Sequence, residues 1–136
     1  MKEAVIVDTG YWIALFDSRD TNHAVAKSNS KTLLQNYRLY LTDFIIFETI
    51  TYLNCSIVRH DLALRFLEKV KEPMLTIVPV DEDIKKEALE LFKKYADKSL
   101  SVTDCASFVI MKEKGVRKYA GFDDHFKQMG YTCVLE

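Results

Sequence analysis

The sequence has 136 residues, 49% of them hydrophobic, with only 4 Gly and 2 Pro; that is apolar material for one sizeable core and too little for two, so residues 1–136 are expected to form one domain. The formal net charge of −1 lacks the basic excess that usually marks a nucleic-acid binder. No stretch approaches bilayer-spanning length, and the apolar run Ala4 to Val7 is too short for a secretory leader.

Ala4-Val5-Ile6-Val7 is apolar without alternation and ends at Asp8, the pattern of a strand covered on both faces in a parallel sheet. Residues 10–17 read as a short helix and 22–36 as a second, with Ala24, Val25, Leu33 and Leu34 on its expected buried side. Leu39 to Leu41 is a short strand, and Thr42 or Asp43 caps a helix expected to run to Val58. Asp61 opens a helix carrying Leu62, Leu64, Phe66 and Leu67, Pro73 stops it, and Met74 to Val78 are β-favouring. Asp81 caps a helix with Ile84, Ala88, Leu91 and Phe92 at helical spacing. SVTDCASFVIM, residues 101–111, opens the next helix, which ends near Gly115, a plausible left-handed terminus. Two short strands, 118–120 and 131–134, flank a turn of helix at 125–129.

Strands alternating with helices predict a three-layer α/β/α sandwich around a central, mostly parallel sheet. Ligands of such sheets bind beyond the carboxyl ends of the strands. Cys55, Cys105 and Cys133 lie in apolar surroundings without paired spacing, so buried free thiols and a cytoplasmic location are expected.

Four acids have reason to converge at that edge. Asp8 follows the first strand, although a turn aspartate bonded to local backbone would look the same. Glu48 sits in DFIIFETITYL, where its helical neighbours Phe44, Ile45, Thr51 and Tyr52 include no cation. A glutamate on an apolar helix face needs a metal or a distant Lys or Arg. Asp104 lies three residues after Ser101, which also fits a capping box and an anion resting at a helix amino end. Asp123 and Asp124 follow the short strand near the carboxyl terminus; one caps the small helix, and Asp123 is nearer the strand.

Four carboxylates in one pocket require protonation or a neutralising cation. Mg²⁺ or Mn²⁺ suits an oxygen-only site, whereas no His or Cys cluster has zinc-ligand spacing. His23, His60 and His125 read as structural or surface residues. Lys93, Lys94, Lys98, Lys112, Lys114, Arg117 and Lys118 concentrate in one part of the chain, a solvated helix surface or a set of phosphate contacts.

VDTGYWIAL, DTNHAVA, LTDFIIFETITYL, SVTDCASFVIM and AGFDDHFKQMGY, in this order and spacing, resemble the PIN-domain nucleases, and in particular the VapC-like toxins of toxin–antitoxin pairs. The resemblance spans essentially the whole chain. It implies a metal-dependent endoribonuclease whose products carry a 5′-phosphate and a 3′-hydroxyl. By position, Asp8, Glu48, Asp104 and Asp123 would be the catalytic and metal-binding acids, with Asp124 able to replace or assist Asp123. Gly121 stands where the family often has a hydroxyl residue. Thr9 and Thr103 remain candidates for supporting hydrogen bonds, and with Lys98 they are the candidate substrate contacts; Tyr11, Trp12 and Phe122 flank the acids as possible stacking surfaces, with core packing the competing role for Trp12. The resemblance also implies an RNA substrate, a cognate antitoxin and a homodimer.

Two other readings compete. A haloacid-dehalogenase-like phosphatase wants an acid two residues after Asp8, but position 10 is Gly; a receiver domain wants adjacent acids early and a late lysine, and neither accounts for Glu48. A non-catalytic binding module on the same fold would have no need of all four acids.

Overall fold

The computed structural model describes residues 1–136. In chain order it runs β1 (Glu3–Val7), α1 (Thr9–Phe16), α2 (His23–Asn36), β2 (Tyr37–Thr42), α3 (Asp43–Thr51), a π-helical turn (Tyr52–Ser56), α4 (His60–Lys69), β3 (Leu75–Val78), α5 (Glu82–Lys94), α6 (Val102–Lys114), β4 (Lys118–Ala120), α7 (His125–Gln128) and β5 (Thr132–Cys133). The five strands form one sheet in the order β3-β2-β1-β4-β5, and every pairing is parallel. The expected α/β sandwich is therefore the fold observed. β1, the central strand, buries four of its five residues, as the unbroken apolar run requires. Helices α1 to α4 pack among themselves and α5 packs on α6.

Each crossover returns the chain to the same sheet edge, and local chemistry fixes where helices begin. Thr42 Oγ1 accepts the Ile45 amide at 3.0 Å, starting α3 directly after β2. Asp43 Oδ1 accepts the Val80 amide at 3.0 Å, tying that helix start to the segment after β3. Asp81 Oδ1 accepts the Ile84 amide at the start of α5. Gly115, with φ 68°, terminates α6 in the left-handed region, where the absence of a Cβ removes the penalty.

Three local expectations need correction. The helix after Thr42 does not run unbroken to Val58: it widens into the π-helical turn after Thr51 and closes with the Arg59 amide donating to the Leu53 carbonyl at 2.9 Å, with Val58 in the left-handed region at φ 59°. The buried side of α2 is Ala26, Asn29 and Leu33, with Leu34 partly buried against the core; Leu33 and Leu34 face inward as expected, whereas Ala24 and Val25 are exposed. Its phase is set by a polar residue: Asn29 exchanges hydrogen bonds with the Glu136 backbone, a contact that apolar periodicity does not reveal. The three cysteines are free, but Cys55 is exposed on the π-helical turn and only Cys105 is fully buried. No helix is long and apolar enough to cross a membrane.

Candidate active site

From β1 the chain winds outward through β2 and β3, then returns to the other side of β1 at β4. The carboxyl ends of β1 and β4 thus bound the point where strand order reverses, the place where open α/β sheets form ligand crevices. Asp8 stands there. Its amide donates to the Ala120 carbonyl of β4 at 2.9 Å, which holds the residue against the neighbouring strand. Its side chain makes no capping bond to α1, and buried Oδ1 has no hydrogen-bond partner, so local turn bonding leaves that oxygen unsatisfied. Burial pushes the Asp8 carboxyl up to about 8; the Asp104 charge adds to this, Glu48 and Asp123 contribute less, and the Thr9 backbone amide opposes.

Asp104 occupies the first turn of α6. The capping box is real: the Asp104 amide donates to Ser101 Oγ at 3.0 Å, and the Ser101 amide donates to Asp104 Oδ2 at 3.3 Å. The same Oδ2 lies 3.3 Å from His125 Nδ1. Burial raises the Asp104 pKa; the Ser101 amide lowers it, Asp123 raises it and His125 lowers it.

Glu48 lies in the second turn of α3, half-buried. It belongs to no ion pair, so the distant-cation explanation for it is not met. Asp123, exposed after β4, accepts the His125 amide at 2.8 Å and lies 3.0 Å from His125 Nδ1. Asp124 begins α7 by position but its side chain caps nothing.

Asp8, Glu48, Asp104 and Asp123 line one cavity of about 430 Å³, together with Asp20 and His125. Neither Asp124 nor any Lys or Arg is part of that lining. Thr9 lines the cavity too, and its buried Oγ1 lacks a partner. Thr103 instead faces an adjoining groove that shares Glu48 and Tyr52 with the cavity and is walled by Phe44 and Phe47. Lys98 lines neither; its Nζ sits 5.9 Å above the Tyr95 ring. Tyr11 and Trp12 are core residues, 2% exposed, held by hydrogen bonds to Ala26 and Val7 carbonyls. Phe122 lines the cavity and stacks on Tyr11 with ring centroids 6.4 Å apart. A Cβ on Gly121 would meet Asp8 Cβ at 3.2 Å, so glycine permits the close approach of Asp8 to the end of β4.

Two participants escaped the sequence reading. His125 is not a bystander: ligand atoms of Asp104, Asp123 and His125 all lie within 4.8 Å of one another. The Asp-x-His spacing in GFDDHF was the available signal: the turn that brings the His125 amide onto Asp123 Oδ1 also brings the His125 ring against the same carboxylate. Asp20, whose Oδ1 accepts the Asn22 amide at 2.8 Å, reaches the cavity from the loop before α2, where sequence periodicity carries no information.

This donor set fits a hard divalent cation. It offers oxygen ligands, a half-buried glutamate without a countercharge, and a buried oxygen on Asp8 with no proton donor; a buried polar atom left in that state is costly unless something else binds it.

The PIN domain profile matches residues 5–130, and the chain belongs to that family, as its motif order suggested. It is similar over 134 residues, at 27% identity, to the 23S rRNA-specific endonuclease VapC20 of Mycobacterium tuberculosis, covering 96% of this chain and 97% of that protein. The crystal structure of VapC20, described as a sarcin–ricin loop cleaving toxin, superimposes with a TM-score of 0.89 at 24% identity over 97% of this chain and 99% of that one. A VapC ribonuclease of Archaeoglobus fulgidus is 29% identical over 127 residues, covering 90% of this chain and 79% of that protein. VapBC2 of Rickettsia felis, bound to a promoter DNA fragment, shares the fold with a TM-score of 0.69 at 12% identity, covering 98% of this chain and 99% of that one.

Proposed function

We propose that this protein is a metal-dependent endoribonuclease that hydrolyses RNA phosphodiester bonds and acts as the toxin of a toxin–antitoxin pair. The observation that carries the reading is the convergence of Asp8, Glu48, Asp104 and Asp123 on one cavity without a Lys or Arg to neutralise them. The curated relatives, named for RNA cleavage, support RNA over other phosphodiesters.

Asp8, Glu48, Asp104 and Asp123 are the residues to hold Mg²⁺ or Mn²⁺. Such an ion, when bound, activates water at neutral pH and polarises the scissile phosphate. His125 bridges the two outer carboxylates: its Nδ1 lies 3.3 Å from Asp104 Oδ2 and 3.0 Å from Asp123 Oδ1, and the tautomer protonated there would hold both at the cavity. The unpartnered Thr9 hydroxyl is free to donate to a substrate or carboxylate oxygen. Phe47, 66% exposed, and Tyr52, 44% exposed, flank Glu48 on the open side and replace Tyr11 and Trp12 as surfaces on which unpaired bases stack.

A phosphatase of the rival type lacks its second acid at Gly10, and a binding module has no use for a buried Asp8 whose Oδ1 lacks a hydrogen-bond partner. An unregulated ribonuclease harms its host, so a cognate antitoxin follows from the toxin reading, and the VapBC2 likeness supports the pairing; a homodimeric state is what the family resemblance implies, and a cytoplasmic location accords with free thiols.

The test is cleavage of ribosomal RNA and of single-stranded oligoribonucleotides by the wild-type protein and by Asp104→Asn, each with chelator and with Mn²⁺. Only the wild type with metal should cut, leaving 5′-phosphate ends. Equal cleavage by both proteins, or none by either with metal present, rules the reading out.

A further inference from the structure

Across the loop 17–22 from the acidic cavity lies a second concavity of about 420 Å³ between α1, α2 and α4. Its lining includes Lys27, Arg59, Arg65 and His23 and no acidic residue, a local excess in a chain whose net charge is −1. Two acids flanking the groove are already engaged. Asp17 accepts the Arg19 amide at 3.1 Å and lies 3.9 Å from its guanidinium. Asp61 accepts from Arg59 Nε and Nη2, at 2.8 and 2.7 Å. Lys27 and Arg65 remain exposed and form no ion pair. His23 is bound through Nδ1 to the Ala14 carbonyl at 2.8 Å, which leaves Nε2 as its remaining polar atom.

The two concavities share one wall. Asp20 and Asn22 line the acidic cavity, while Ser18 and His23, from the same stretch, line the basic groove; α1 likewise gives Ile13 to one and Leu15 and Phe16 to the other. Lys27 and Arg65 therefore lie across this wall from the acids. Of the basic residues grouped late in the sequence, none lines the acidic cavity or the groove beside it. Lys93 is paired with Glu90 and Lys118 with Glu3, and Lys94 and Lys98 sit over the Tyr95 ring.

We propose that the groove between α2 and α4 holds the RNA backbone beyond the cleavage point, with Lys27 and Arg65 each neutralising a phosphate. The proposal rests on the ribonuclease reading and adds the direction in which the strand leaves the site. It commits to RNA because the groove adjoins the acidic cavity; an acidic segment of a partner protein is the competing occupant.

The experiment measures binding of an end-labelled RNA dodecamer in chelator, which withholds the metal that cleavage requires, by fluorescence anisotropy over a KCl series. Wild type is compared with Lys27→Gln/Arg65→Gln, the charge-keeping pair Lys27→Arg/Arg65→Lys, and the distant control Lys93→Gln/Lys94→Gln. Each phosphate contact to single-stranded RNA contributes about 0.7 to the slope of log affinity against log salt, so the Gln pair should lower the slope by about 1.4 and weaken binding about tenfold at moderate salt. The charge-keeping pair and the control should stay near wild type. Equal slopes for wild type and the Gln pair overturn the proposal, as does a Gln pair that loses binding to poly-glutamate while its RNA slope is unchanged. Cleavage of the same dodecamer by wild type with Mn²⁺ is scored separately. Its absence removes the ribonuclease reading itself, whereas cleavage with an unmoved slope removes only the groove.

Discussion

Asp104 and Ser101 cap each other's backbone, with the Asp104 amide on Ser101 Oγ at 3.0 Å and the Ser101 amide on Asp104 Oδ2 at 3.3 Å, and the same Oδ2 faces His125. One carboxylate therefore starts a helix and serves the cavity, and substitution separates the two duties. Asp104→Asn keeps an acceptor for the Ser101 amide but removes the charge. Its unfolding midpoint should stay close to wild type while metal-dependent cleavage falls about a hundredfold or more, the scale on which positioned charged groups act. Ser101→Ala removes the cap and should cost about 1 kcal/mol of stability. Urea unfolding of both variants beside the cleavage assay decides it. A large stability loss in Asp104→Asn would make the aspartate chiefly a capping residue.

The Asp8 carboxyl gives a pH prediction. Folded, it holds its proton up to about pH 8, against 3.8 for an ordinary aspartate. The folded chain thus binds this proton more tightly than the unfolded chain. Stability from that proton is fully present below about pH 4 and is lost as pH rises toward 8, at about 1.4 kcal/mol per pH unit for one fully shifted proton. Asp8→Asn has no proton to lose. In chelator its melting temperature should match wild type near pH 4 and exceed it increasingly toward pH 8. Adding Mn²⁺ at pH 8 should raise the wild-type melting temperature and close the gap, because a cation that binds only the folded state stabilises it; Asp8→Asn should respond weakly. Parallel pH profiles in chelator would show that burial of Asp8 carries no such penalty.

The contrast between Asp8 and His125 shows what the sequence made legible. An apolar run broken by an acid marks a strand end in any chain, so Asp8, and with it the sheet edge, followed from pattern alone. The order of strands and helices then carried the fold. His125 was missed because its role depends on the angle at which α7 leaves β4, a tertiary fact that leaves no periodic trace. Lys98 and Thr103 were drawn into the site by nearness in sequence to Asp104. The structure turns Lys98 toward Tyr95 and Thr103 into the adjoining groove. Asn29 on α2 was invisible for the opposite reason, since a buried polar residue satisfied by the distant Glu136 backbone mimics a solvent-facing one.

Val58 supplies a stability prediction remote from the acids. It holds φ 59° where the Arg59 amide closes on the Leu53 carbonyl, a helix ending that favours glycine. A β-branched residue pays about 1–2 kcal/mol for that backbone conformation, and Val58 is 75% exposed, so little packing offsets the strain. Val58→Gly should therefore stabilise the protein by up to about 1 kcal/mol, less than the full strain because glycine also loses more entropy on folding. Val58→Asn should act in the same direction. Denaturant midpoints that fall for both would mean that the valine side chain has a packing partner, such as a second copy of the chain.

Phe47 tests the substrate path on the side of Glu48. Truncating Trp12, 2% exposed, would cost about 3–5 kcal/mol of stability and reveal nothing about RNA. Phe47 is 66% exposed, so Phe47→Ala should leave the melting temperature almost unchanged. Base–aromatic stacking contributes about 1–3 kcal/mol per base, which predicts a rise in KM for single-stranded RNA of roughly fivefold to a hundredfold, with kcat for the bound strand retained. Tyr52→Phe should behave as wild type if only the ring face matters, and Tyr52→Ala should follow Phe47→Ala. Steady-state kinetics with an oligoribonucleotide, paired with sedimentation of each variant, separates the outcomes. A KM that does not move while Phe47→Ala turns a dimer into a monomer would assign this aromatic face to a second copy of the chain instead of to RNA.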